Sequence, residues 1–450
     1  MVDGGKIYEI EIGGLGSGGE GVGRVGDFTV FVEGALPGEI VSAEITAVKK
    51  NYGVARLKKI LRESPDRVAP FCEYCPECGG CQLQHLSYPA QLIWKRQQVV
   101  DAVERIGKIR GVEISDTLGM ENPLRYRNKM QFPVGKNLAV GCYARGSHKI
   151  VDLNSCKIQR EIADRVLTAA KKILQRYGVA PYDEDTHRGI IRHVMCRVGF
   201  NGELMIVLVT ATKNLPNEKN IAKALRAEIP SVASIQQNIQ TYRNNVILGR
   251  ETKILFGKPT IRDRIGGLNF NISARSFFQV NTAQAEVLYR TAKNFAGLTG
   301  RETVIDAYCG TGTIGLYMAR AAYKIFGLEI VGEAVDDAKK NARENKIRNA
   351  EFIVGDVVKV LPHLEVVADV VVVDPPRAGC DRIVLETFAK MKPARIVYVS
   401  CNPATLARDL AILAELGYRT KKIQPVDMFP FSSHVEAVAL AENFSLTESK

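Results

Sequence analysis

The side chain best suited to chemistry is Cys401, in Ser400-Cys401-Asn402-Pro403 after the apolar run Arg395-Ile396-Val397-Tyr398-Val399. A thiol at the carboxyl end of a strand suggests a covalent nucleophile. Asp374-Pro375-Pro376-Arg377 follows a second apolar run, Val370-Val371-Val372-Val373. Near the C-terminus, Ser433-His434-Val435-Glu436 offers two proton acceptors, His434 and Glu436. A third run, Thr303-Val304-Ile305, opens into Asp306-Ala307-Tyr308-Cys309-Gly310-Thr311-Gly312-Thr313-Ile314-Gly315. Glycines here permit a tight turn and close approach of backbone to a ligand, and the amides of the helix that follows would face it. Glu329 ends the next run, where an acidic residue accepts hydrogen bonds from ribose hydroxyls, and Asp356 follows the run after that, where a carboxylate can meet an adenine amino group. A nicotinamide dinucleotide and S-adenosylmethionine compete for such a pocket. Carboxylates at Asp306 and Asp374 attract a cationic sulfonium and repel a pyrophosphate, which favours S-adenosylmethionine. Spacing alone leaves plainer readings open: Cys401 as a small buried residue and Glu436 as a surface charge.

The thiol and the methyl donor together suggest one reaction. Carbon 5 of a pyrimidine is a poor nucleophile. A thiolate added to carbon 6 makes the ring an enolate, and carbon 5 can then take a methyl group. A base must afterwards remove the carbon 5 proton so that the thiolate can leave.

A second constellation lies upstream. Phe71-Cys72-Glu73-Tyr74-Cys75-Pro76-Glu77-Cys78-Gly79-Gly80-Cys81 places four cysteines three residues apart. Such a run signals a metal or iron–sulfur site, and zinc and a 4Fe–4S cluster both accept four thiolates. Ten cysteines in a chain of this size, read as cytosolic, are not a disulfide framework.

The elements that must position these residues fall into three stretches. Up to residue 62, short alternating runs separated by glycine turns read as a small β-barrel. Its last stretch holds Lys49, Lys50, Arg56, Lys58, Lys59 and Arg62 with no acidic residue from 45 to 62, as suits an RNA backbone, or else forms a solvated strand face. Residues 63–81 are irregular, a helix is expected over 88–109, and strands and helices mix over 120–260. From about 263 onward apolar strands alternate with helices, which predicts a doubly wound parallel sheet with its chemistry at the strands' carboxyl ends. In Arg125-Tyr126-Arg127-Asn128-Lys129, three cations could hold RNA, with Tyr126 and Phe132 as stacking partners; the alternative is a basic strand with core aromatics. The net charge of +12 favours a polyanionic partner, nucleic acid before membrane. No apolar run reaches membrane-spanning length and no signal-peptide pattern opens the chain, so a cytoplasmic location without membrane association is expected. Nothing implies an obligate protein partner.

Taken together, Phe277-Phe278-Gln279-Val280-Asn281, the loop from Asp306 to Gly312, Asp374-Pro375-Pro376-Arg377-Ala378-Gly379, Ser400-Cys401-Asn402-Pro403-Ala404-Thr405 and His434-Val435-Glu436 resemble the RNA uracil-C5 methyltransferases. The likeness is to the branch with an N-terminal TRAM barrel and an iron–sulfur cluster, of the 23S rRNA (uracil-5-)-methyltransferase type, and it spans essentially the whole chain. It implies Cys401 as nucleophile and Glu436 as proton-abstracting base. It implies Gln279, Tyr308, Gly310, Thr313, Glu329, Asp356 and Asp374 as contacts to S-adenosylmethionine; some relatives carry asparagine at the positions of Thr313 and Asp356. It implies Cys72, Cys78, Cys81 and Cys156 as ligands of a 4Fe–4S cluster, with Cys75 an extra residue. The expected architecture is multidomain α/β: a TRAM (OB-like) barrel over 1–66, a central α+β domain with the cluster over 67–262, and a Rossmann-like methyltransferase domain over 263–450, with the helical segment 88–118 packing on the last. The implied substrate is a loop uridine in 23S rRNA, with tRNA as the alternative. Cytosine-C5 methylation of RNA, using Cys380 or Cys309 as second cysteine, and a non-catalytic RNA-binding iron–sulfur protein are the rivals.

Overall fold

The structure, a computed structural model, describes residues 2–444. Strands Ile7–Leu15, Gly21–Val25, Phe28–Glu33, Tyr52–Arg62 and Ile40–Val48 close, in that order, into a barrel. Alternation explains the closure: Ile10, Ile12, Val30, Val32, Val41, Ala43 and Ile45 all point inward and are buried, and the residues between them face out.

A second sheet has the order Glu251–Gly257, Val232–Ile239, Leu204–Thr210, Ile191–Val198 and Lys129–Pro133, with helices Ile162–Arg176 and Glu218–Glu228 against it. The cysteine-rich stretch lies in irregular chain between this sheet and the barrel.

The third sheet has eight strands among the described residues. Its order is Ala350–Val354, Lys324–Glu329, Thr303–Ala307, Val370–Val373, Arg395–Ser400, Glu436–Asn443, Tyr418–Val426 and Glu113–Ile114. The first five are parallel, and Glu436–Asn443 runs antiparallel between Arg395–Ser400 and Tyr418–Val426. Successive residues serve opposite faces: Val304, Val370, Val372, Val397 and Val399 join one core, and Ile305, Val371, Val373, Ile396 and Tyr398 the other. A sheet buried on both faces reads as continuous apolar sequence, as these strands do. The helix Tyr88–Arg105 crosses to this sheet and buries Val99, Ala102 and Val103 in the second core. The order reverses between Thr303–Ala307 and Val370–Val373, and ligands of such sheets bind in the crevice at that switch point.

Candidate active site

Both strands at the switch point end in a carboxylate. Asp306 is 1% exposed; its Oδ2 accepts the Gly315 N–H at 2.8 Å, while its Oδ1 is buried with no hydrogen-bond partner. Gly315 is required there, since a Cβ would stand 2.7 Å from Asp306 Oδ2. Gly312 enters the helix Thr313–Ala319 at φ 77°, in the left-handed region that favours glycine. Glu329 accepts the Gly310 N–H at 3.1 Å and the Val331 N–H at 2.9 Å, which fixes its carboxylate toward the loop. Tyr308 holds φ 63°, and Thr313 Oγ1 lies 3.0 Å from the buried Tyr289 hydroxyl. Gln279 is buried. Asp356 caps the turn Val357–Val360 by accepting the Val358 N–H at 3.0 Å. Of the residues expected from the sequence, Gly310, Thr313 and Glu329 are held together at this loop, and the unpartnered Asp306 Oδ1 suits a cationic or hydrogen-bonding ligand. S-adenosylmethionine fits this donor set.

Cys401 follows Arg395–Ser400, half-buried. Ser400 pairs with Ala437 across the antiparallel ladder, so the next step in register brings Cys401 opposite Glu436. Asn402 caps the helix Pro403–Glu415, accepting the Ala404 N–H at 3.0 Å, and its Nδ2 donates to the Arg377 carbonyl at 3.2 Å. Thr405 Oγ1 donates to the same carbonyl at 3.3 Å. The loop after Asp374 is thereby tied to the loop carrying Cys401. The Arg377 guanidinium approaches the His434 ring, Nη2 to Nε2, at 3.3 Å.

Burial sets the electrostatics. Burial pushes the Glu436 carboxyl up to about 8, with the negative charge of Asp374 adding to it and Arg377 opposing. Burial raises Asp374 to about 7, and raises Asp306 to about 7 despite the Gly315 hydrogen bond. The Cys401 thiol is raised by burial, then by Glu436 and Asp374, with Arg377 pulling it down. The site is a low-dielectric pocket for one cation beside a thiol and a poised carboxyl group.

The cysteines form a separate centre. Cys72, Cys75, Cys78, Cys81, Cys142 and Cys156 line one cavity of about 1310 Å³. Arg145 organises it, donating to the carbonyls of Cys81 at 3.0 Å and of Cys75 and Cys78 at 3.4 Å while pairing with Glu33 of the barrel at 2.9 Å. The Cys156 N–H donates to Asp164 at 2.8 Å. A hydrogen bond from Cys142 is the largest influence holding the Cys78 thiol below its ordinary value; burial raises Cys81 to about 12 and Cys156 to about 11. Among the described residues, no three histidine, cysteine or acidic side chains approach closely enough to hold a metal ion. The expected iron–sulfur ligand group is therefore not shown by the structure; the six cysteines share the lining of one cavity. Cys142 has no spacing that ties it to the run over 72–81, and only the fold reveals it.

The basic stretch over 125–129 is corrected. Tyr126 and Phe132 are 5% and 1% exposed, Phe132 lies in the central core, and the Tyr126 hydroxyl donates to the Pro430 carbonyl, so neither ring is a stacking platform. Arg125 pairs with Asp164 at 2.8 Å and donates to the Cys156 carbonyl at 2.8 Å, bracing the cysteine cavity. Basic and aromatic residues alternate equally well along an RNA-binding face and along a core strand, and burial chose the second.

The doubly wound sheet, the acidic pocket at its switch point and the adjoining thiol define an S-adenosylmethionine-dependent methyltransferase. The profile of the tRNA (uracil-5-)-methyltransferase family matches residues 188–355 and 363–443, and that of the TRAM domain residues 3–58. An uncharacterized RNA methyltransferase of Halalkalibacterium halodurans is 51% identical over 443 residues, 97% of either chain. Another, of Clostridium tetani, is 51% identical over 442 residues, 97% of this chain and 96% of that one. The solved structure of Pyrococcus abyssi tRNA (uracil-54, C5)-methyltransferase with S-adenosyl-L-homocysteine matches with TM-score 0.78 and 30% identity, over 96% of this chain and 100% of that one. The chain belongs to the RNA (uracil-5-)-methyltransferase family and carries an N-terminal TRAM domain. It is an S-adenosylmethionine-dependent enzyme of that class. None of its described helices is long and apolar enough to cross a membrane.

Proposed function

We propose that the protein methylates carbon 5 of a uridine in 23S rRNA through a covalent adduct of Cys401, in the cytoplasm. One observation carries the mechanism: Cys401 follows Ser400 and Glu436 precedes Ala437, the end pair of two adjacent antiparallel strands, and the Glu436 charge acts on the Cys401 thiol. S-adenosylmethionine, when bound, supplies an electrophilic methyl group. Gln279, Tyr308, Gly310, Thr313, Glu329, Asp356 and Asp374 would hold it. The Cys401 thiolate adds to carbon 6, and the electron pair so displaced makes carbon 5 nucleophilic. Once carbon 5 is methylated, Glu436 takes its proton, the carbon 5–carbon 6 double bond re-forms, and the thiolate leaves. Arg377, which lowers both the Cys401 thiol and the Glu436 carboxyl, favours the ionised form of each.

The cysteine cavity supports a 4Fe–4S cluster on Cys72, Cys78, Cys81 and Cys156 within a central unit over 67–262, between a barrel over 1–66 and a catalytic unit over 263–450. These four thiols line the same cavity, which is what supports the reading. Cys380 bonds the buried Tyr398 hydroxyl and Cys309 is buried among apolar side chains, which weighs against either as the second thiol of a cytosine enzyme.

The choice of rRNA rests on the combined barrel and cysteine motif. A specific observation favours tRNA as the second reading: the Pyrococcus abyssi enzyme, matched over its whole length, acts on tRNA. Methyl transfer from labelled cofactor to unmodified 23S rRNA and, in parallel, to unmodified tRNA decides between them. Label in rRNA, recovered as 5-methyluridine and lost in Cys401→Ala, is the expected result. Label only in tRNA keeps the mechanism and replaces the substrate. Glu436→Gln should accumulate a covalent protein–RNA adduct; normal turnover of that variant removes Glu436 from the role of base.

A further inference from the structure

The loop over 427–436, which delivers His434 and Glu436, is gripped along its length by residues 82–98. Lys95 and Asp427 are both fully buried and 2.6 Å apart. Lys95 also donates to the Phe429 carbonyl at 3.0 Å, and the Tyr88 hydroxyl donates to the other Asp427 oxygen at 2.9 Å. Gln91, likewise buried, works in both directions. Its Oε1 accepts the Phe431 N–H at 3.0 Å, and its Nε2 donates to the carbonyls of Leu83 at 3.0 Å and Leu86 at 2.8 Å. The N–H groups of Gln82 and Leu83 both donate to the Phe431 carbonyl, at 3.0 and 2.9 Å. Phe431 sits at φ 66°, a conformation a bulky residue keeps only when its surroundings impose it. Here its amide and its carbonyl are both fixed by the same segment, and its ring packs with Cys81, Tyr126 and Ile158. Gln98 closes the grip by donating to the Ser433 carbonyl at 3.3 Å.

A buried ion pair is a poor stabiliser, because desolvation offsets its attraction; it is better suited to enforcing one arrangement. We propose that Lys95, Gln91 and Gln98 are positioning residues for proton abstraction. They fix the 427–436 loop so that Glu436 meets the carbon 5 proton, and through Gln82, Leu83 and Phe431 the same clamp joins the cysteine-lined loop to the catalytic strand. The proposal rests on the assignment of Glu436 as the base.

The test is the double variant Lys95→Met with Asp427→Leu, which removes the ion pair without stranding a buried charge, run beside Glu436→Gln on the full-length protein. The readouts are kcat, the KM for RNA, cofactor affinity, melting temperature and the amount of denaturation-stable protein–RNA adduct. A general base contributes on the order of a hundredfold or more, so its misplacement should lower kcat by at least about tenfold. Cofactor affinity and the KM for RNA should stay within about threefold, and adduct should accumulate as in Glu436→Gln. Adduct accumulation separates misplacement of the base from a general loss of folded protein. If Glu436→Gln traps adduct while the folded double variant turns over normally, or loses activity without adduct, the clamp is overturned and the base assignment stands. If Glu436→Gln turns over normally, the base assignment falls and takes the clamp with it. Gln98→Ala, at the half-buried edge of the clamp, serves if the double variant does not fold. Adduct above the parent level supports the proposal there, and parent-like kcat and adduct overturn it.

Discussion

Asp306 and Glu436 are buried and Asp374 is half-buried, and burial holds all three carboxyls well above the usual carboxylate range, at about 7, 7 and 8. A cation bound among them favours their ionised forms, so cofactor binding should release protons. Cofactor affinity should therefore tighten as pH rises from about 5 to 8, by up to about tenfold per pH unit for each linked group. Titration calorimetry in buffers of different ionisation enthalpy would count the protons. Asp374→Asn should flatten the dependence, and S-adenosyl-L-homocysteine, which lacks the sulfonium charge, should show less of it. The ligand-free protein should behave oppositely. A raised folded-state pKa contributes stability that is fully present below the unfolded value, near 4, and is lost as pH rises through the folded value. Its melting temperature should fall between about pH 5 and 8, with the cofactor-bound form falling less. A pH dependence of melting temperature that is unchanged in Asp374→Asn would show that this carboxyl is already ionised without ligand.

The loop between Thr303–Ala307 and Thr313–Ala319 is a packing solution as much as a binding one. Gly315→Ala would put a methyl 2.7 Å from Asp306 Oδ2 and 3.0 Å from the Ile325 side chain. Overpacking of this kind costs about 1–3 kcal/mol, and here it also displaces the carboxylate facing the ligand. The variant should lose stability in denaturant titration and bind cofactor more weakly; unchanged cofactor affinity would mean that Asp306 is not a contact. This loop was legible in the sequence because glycine spacing, strand ends and acidic residues all serve one local geometry. The strands Val370–Val373 and Arg395–Ser400 were legible for a related reason: burial on both faces leaves an uninterrupted apolar run. What holds the Glu436 loop was not legible. Lys95 and Asp427 look like ordinary charges in sequence, and Glu113–Ile114 is too short to announce itself as a strand of the catalytic sheet. Such contacts join residues some three hundred positions apart, so no local pattern encodes them. Tyr126 and Phe132 misled because an aromatic beside basic residues carries no mark of which face is buried.

Across the molecule, an exposed basic stretch and the catalytic pocket occupy different bodies. On the barrel, Lys49, Lys50, Arg56 and Lys59 are exposed and make no salt bridge among the described residues, whereas Lys58 and Arg62 are paired with Glu44 and Glu11. The unpaired four are the ones available to phosphates. Arg145 couples the barrel, through Glu33, to the carbonyls around the cysteine cavity, and Phe431 couples that region to the catalytic loop. RNA held on the barrel would therefore be presented by a connected frame to a pocket that reads only the target base. Reversing three of these charges, Lys49→Glu with Lys50→Glu and Lys59→Glu, should test that division of labour. Each lysine that contacts a phosphate adds about one to the slope of log affinity on log salt. The triple variant should bind RNA at least about tenfold more weakly at low salt, with a slope shallower by up to about three. Cofactor affinity and kcat at saturating RNA should be unchanged, because none of the three lies near Asp306 or Cys401. An unchanged affinity and slope would mean that the barrel face is only solvated and that RNA is gripped elsewhere. A fall in kcat at saturating RNA would mean instead that the barrel orients the base as well as holding the backbone.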